Sequence, residues 1–143
     1  MERELPLRIH VLRRPRGAAF AVQRGKGELV EPSAVSADAM VFDLTVRVAE
    51  GKDGRPNFLG PFAQGTPADR FVYLNSGTYA GQAETPWSRR AKLKLAGIGW
   101  EMVDEALATP GAVLEARIEG TAGDGGPCCA TVPLLDGGWR VAR

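Results

Sequence analysis

Histidine and cysteine are nearly missing from this chain: 143 residues hold one histidine, His10, and two cysteines, Cys128 and Cys129. A structural zinc ion takes about four ligands. Adjacent residues in a strand point to opposite faces, so these two thiolates do not converge on one ion. No metal and no other cofactor is expected. An extracellular disulfide scaffold shows spaced, even-numbered cysteines, and a bridge between neighbours strains disulfide geometry. Serine–histidine or cysteine–histidine catalysis would have to use His10, and no G-x-S-x-G elbow accompanies it. His10 lies in an alternating apolar run and reads as a strand histidine with a partner.

An excess of one charge is also missing, with 18 basic against 17 acidic residues. Nucleic-acid-binding domains concentrate a much larger basic excess, so no nucleic-acid partner is expected. No run reaches the ~20 apolar residues of a membrane span. The opening Met-Glu-Arg-Glu-Leu-Pro places acid where a signal peptide needs base, and no apolar segment follows. A soluble cytoplasmic protein without a membrane partner is the expectation.

Glycine and proline, by contrast, are plentiful at 18 and 10 residues. They fall between short apolar runs, which indicates many turns. Disorder would need few apolar residues and a high net charge. The length suits one β-rich domain over residues 1–143.

Leu5, Leu7, Ile9 and Val11 alternate with polar or small residues, a half-buried strand pattern. "AAFAVQ", "RGKG" and "ELVE" read as strand, glycine-bearing turn and strand. Over residues 40–48, Phe42, Leu44, Val46 and Val48 take one face and Asp43, Thr45 and Arg47 the other. Residues 50–57 ("EGKDGRPN") read as a turn. Residues 70–75 and 88–95 read as further strands, the second with Ala91, Leu93 and Leu95 inward and Arg90, Lys92 and Lys94 outward. Residues 98–108 switch to helical spacing through Ile98, Met102, Val103, Ala106 and Leu107, stopped by Thr109-Pro110-Gly111. Strands are expected again at 113–119, 128–134 and 139–141, the last two joined by "LDGG". Eight to ten short strands with hairpin-length links and one helix imply a mainly β fold, an antiparallel sandwich or small barrel.

Candidate ligand-binding residues concentrate around "NFLGPFAQGTPADRFVYLNSG" (residues 57–77). Alternation puts Arg70, Val72 and Leu74 on one strand face and Phe71, Tyr73 and Asn75 on the other. The second face, with Gln64, either lines a polar cleft or is core with the Tyr73 hydroxyl at its rim. Arg89 shares the inward face of Leu93, so it needs a partner, either a protein carboxylate such as Asp43 or Asp69 or an outside anion. Trp87, in a loop, either stacks on a planar ligand or packs at an interface.

The run "GPFAQGTPADRFVYLNSG" followed by "RRAKLKL" resembles an uncharacterised bacterial family, a domain of unknown function. Its signature is Gly-Pro-aromatic, a glycine, Arg-Phe-x-Tyr-Leu, a glycine, and later Arg-Arg-Ala-Lys-Leu. The likeness covers most of residues 18–95 through "AVQRGKGELV" and "VFDLTVRV". This chain departs at Asn75-Ser76-Gly77, where relatives carry tryptophan before the glycine, and at Trp87-Ser88, where bulky apolar residues are expected. The resemblance implies no activity, cofactor or catalytic residue.

Taken together, these residues suggest a non-enzymatic module that binds a small molecule or a protein, with Gln64, Arg70, Tyr73, Asn75, Trp87 and Arg89 as candidate contacts. A small enzyme is the alternative, holding an anionic substrate on Arg89 or Arg70 with Asp69 as base. A homodimer formed through a strand edge or the Trp87 loop is the third reading.

Overall fold

The structure, a computed structural model, describes residues 2–13, 18–25, 28–78, 89–119 and 138–143, with backbone alone at 18, 19, 76–78 and 89–91. These residues form eleven strands and one helix. The strands are β1 (Arg3–Leu12), β2 (Ala18–Arg24), β3 (Glu28–Val30), β4 (Ala34–Val35), β5 (Met40–Glu50) and β6 (Pro56–Leu59). They continue with β7 (Ala63–Thr66), β8 (Asp69–Thr78), β9 (Arg89–Lys94), β10 (Val113–Glu119) and β11 (Arg140–Ala142), and the helix α1 (Trp100–Ala108) lies between β9 and β10. One sheet runs β11-β10-β1-β5-β4, with β6 also on β5; the other runs β3-β2-β8-β7, with β9 also on β8. Both curl into a half-barrel-like arrangement.

The mainly β reading holds, and the hairpin of β2 with β3 forms as expected. One pair is parallel: β1 runs alongside β10, with Leu7 opposite Leu114 and Val11 opposite Ile118. Parallel neighbours need a long crossover, and here β10 reaches β1 only after the chain has passed through the second sheet and α1. Two short strands, β6 and β7, also flank the cis peptide Gly60–Pro61, where composition had suggested only turns.

Alternation built the core. Leu5, Leu7, Ile9 and Val11 of β1 are fully buried, as are Val46 and Val48 of β5. The second sheet contributes Val22, Val72, Leu74 and Leu93 to the same apolar cluster. Each such side chain adds about 1.5–3 kcal/mol on leaving water. On the wet face of the first sheet, register places opposite charges across from each other. Arg8 lies opposite Asp43 and donates to it at 2.7 Å, while Arg140 lies opposite Glu115 and donates at 2.8 Å. His10 completes that cluster, Nε2 lying 2.9 Å from Glu115 Oε2.

The helix begins at Trp100, two residues after the apolar spacing does, because Gly99 is still extended (φ −97°, ψ 174°). It buries Val103 and Ala106 against the sheet. Thr109 donates to the Glu105 carbonyl, and Gly111 turns the chain away at φ 75°, a backbone angle that suits glycine.

Candidate functional site

A cleft of about 420 Å³ opens where the two sheets part. The turn after β5, the start of β6, the β7–β8 turn, β8 itself and the segment from β9 to α1 all contribute walls. Its apolar lining comes from Pro56, Phe58, Pro67, Leu95 and Ile98. Phe58, Leu95 and Ile98 are also core side chains, so the cleft floor is the edge of the hydrophobic core.

Hydrogen bonds fix the walls. In the turn after β5, the Gly51 N–H donates to the Arg55 carbonyl and the Gly54 N–H to the Gly51 carbonyl. Gly54 has φ 78°, which the turn reserves for glycine. Asp53 Oδ1 accepts the Arg55 N–H at 3.0 Å. Trp100 Nε1 donates to the Gly54 carbonyl at 2.7 Å, and Arg55 Nη2 to the Ala96 carbonyl at 3.1 Å. The turn is thereby pinned to the opposite wall. On that wall, Leu95 N–H donates to the Arg70 carbonyl and Ile98 N–H to the Leu95 carbonyl.

Among the described residues three cations line the cleft, Lys52, Arg55 and Arg70, against one carboxylate, Asp53; three positive charges less one leave a surplus of two. Among the described residues none of the three cations is in an ion pair, although Arg3, Arg8, Arg13, Arg24, Arg47, Lys94, Arg117 and Arg140 all are. Arg70 is half-buried. Its Nη1 donates to the Gly65 carbonyl, while Nε is buried without a hydrogen-bond partner. Asn57 Oδ1, also at the cleft, is the other buried side-chain atom without a partner among the described residues. A buried polar group left unpaired costs about 1–3 kcal/mol.

The expected contacts do not meet in one place. Arg70 alone lines this cleft; Gln64, Tyr73 and Asn75 belong to the opposite side of the second sheet, because alternate residues of β8 face opposite ways. There Phe71 and Tyr73 stack edge to face with centroids 4.7 Å apart, and Lys92 Nζ lies 4.7 Å from the Phe71 ring. Phe71 and Asn75 are buried on that side, apart from the main apolar cluster. Gln64 Nε2 donates to the carbonyls of Gly25 and Pro61, and Gln23 Nε2 also reaches Gly25. Asn75 Nδ2 donates to Gln23 Oε1 at 3.5 Å. These amides tie the β2–β3 turn to the loop around Pro61.

Arg89 pairs through its backbone with Ser76, whereas Tyr73 pairs with Lys92 and Asn75 with Arg90. Directly paired positions share a sheet face, so position 89 is on the other face from Tyr73 and Asn75, and a single site holding all of them does not form. The Arg89 side chain and all of Trp87 lie outside the described residues, as do Cys128, Cys129, the 128–134 segment and the first three residues of "LDGG". The carboxylates considered for Arg89 have other partners. Asp43 accepts from Arg8 and Ser33. Asp69 accepts from Lys94 at 2.7 Å, and that bond holds its carboxyl below the usual range.

Lys52, Arg55 and Asn57 escaped the reading of the sequence. They fall in "EGKDGRPN", whose glycines and proline announce a turn but not what the turn faces. The available signal was two cations, Lys52 and Arg55, flanking Asp53 in one short turn.

No helix among the described residues is long and apolar enough to cross a membrane. No curated protein matches the chain. No solved structure matches it either. A family model does match, over residues 5–142, well beyond the segment whose likeness was read directly, and the chain belongs to that family, described as a family of unknown function (DUF5990).

Proposed function

We propose that this protein is a non-enzymatic binding module whose ligand is a small molecule seated in the cleft between the sheets. One observation carries the reading: among the described residues, the three cations around this cleft have no carboxylate partner, whereas eight other cations are paired. Lys52 and Arg55 are exposed, but Arg70 is half-buried, and a charge so placed is ordinarily paired. Size supports the same reading, since small-molecule sites run from about 300 to 1,000 Å³ with mostly apolar walls and a few polar groups. The described lining holds no histidine, cysteine, serine, threonine or tyrosine, and its one carboxylate, Asp53, accepts a backbone N–H. That inventory suits holding a ligand better than transferring its protons.

Native mass spectrometry of protein purified from its own host tests this. The expected result is a reproducible extra mass, lost on denaturation and lost from Ala96→Trp, which fills the cleft from an exposed position on its wall. A bare chain, or the same extra mass on Ala96→Trp, overturns the proposal.

A further inference from the structure

We infer that the cleft's ligand is a monocarboxylate carrying an apolar body, with Arg70 as the clamp for its carboxylate; this rests on the cleft being a binding site. The argument begins with the guanidinium. It is planar and carries five N–H donors, two of which, on Nε and Nη2, form one edge suited to bidentate contact with a carboxylate. The Gly65 carbonyl takes Nη1 and leaves that edge without an acceptor. Asp69, next to Arg70 in sequence, is held by Lys94 on the outer side of the sheet, and among the described residues no acid pairs with Arg70.

Two features separate a carboxylate from a phosphate. Phosphate sites gather backbone N–H groups into a nest or a helix terminus; at this cleft the backbone groups meeting Arg55 and Arg70 are carbonyls, those of Ala96 and Gly65. Asp53 also stands in the lining and opposes a second negative charge. The apolar body follows from the walls. Pro56, Pro67, Ala68 and Ala96 line the cleft and are partly or fully exposed. A ligand that covers them gains from burial, at about 25 cal/mol per Å². Nε itself is buried, so the side chain must turn to present its edge, exchanging the Gly65 bond for the ligand's.

Benzoate, benzyl alcohol and inorganic phosphate serve as probes, followed by amide shifts in ¹H–¹⁵N correlation spectra of the full chain. Benzoate is expected to shift the Asn57, Arg70 and Ala96 amides saturably, with benzyl alcohol about 10-fold weaker. Arg70→Lys, which keeps the charge and loses the fork, is expected to weaken benzoate about 10-fold while leaving benzyl alcohol unchanged. Equal binding of benzoate and benzyl alcohol overturns the carboxylate assignment and leaves the cleft a binding site. Displacement of benzoate by equimolar phosphate also overturns it. If neither aromatic probe shifts the cleft amides, the binding reading and this inference fall together. Ala96→Trp, whose spectrum reports its own folding, must abolish the shifts; their persistence places the probes elsewhere and overturns the inference.

Discussion

Replacing Gly65 by alanine tests whether the β7–β8 hairpin is as tightly built as its geometry requires. Gly65 has φ 89°, and a Cβ there would come within 2.5 Å of the Asp69 carbonyl oxygen and 2.6 Å of Phe71 Cε2. A non-glycine residue in the left-handed region costs about 1–2 kcal/mol, and forcing an extra methyl into filled space costs about 1–3 kcal/mol. The backbone oxygen cannot give way as a flexible side chain would, so the expected loss is about 2–5 kcal/mol. In a domain of this length that lowers Tm by about 5–15 °C. Gly111→Ala is the control: φ is 75°, but nothing lies within 4 Å of the added carbon, so only the conformational cost applies. Urea unfolding followed by tryptophan fluorescence gives both values. A Gly65→Ala loss no larger than that of Gly111→Ala would refute the steric part of the argument.

Burial pushes the Glu115 carboxyl up, but hydrogen bonds from Arg140 and then His10 outweigh it and hold the carboxyl below the ordinary 4.5. Such a depressed group stabilises the fold above the unfolded value, and that contribution fades as pH falls through the folded one. Glu115→Gln should therefore flatten the loss of stability below about pH 4.5, which urea midpoints across pH 3–6 will show; an unchanged slope counts against the cluster. Leu7→Ala, at a fully buried position between β5 and β10, should cost about 2–5 kcal/mol, and a loss under about 1 kcal/mol would mean the core closes around the gap.

The longer strands of the two sheets, unlike the short β4, β6 and β7, were legible because a half-buried strand writes its faces into alternate residues. Leu5 to Val11 and Met40 to Val48 show this, and every residue read there as inward is buried. The helix was legible from its change of period, though not its first residue, since Gly99 extends where the spacing alone would continue. His10 as a partnered strand histidine was legible too, but not that its partner is Glu115, 105 positions away. Pairing register, the parallel β1–β10 contact and the separation of Arg70 from Tyr73 and Asn75 came only with the tertiary structure. So did the cleft. Alternation along one strand says which residues share a face, and it is silent on what that face meets. Lys52 and Arg55 became cleft residues because the turn after β5 is bonded to Trp100 and Ala96, more than 40 positions further on, and local sequence carries no trace of contacts at that range.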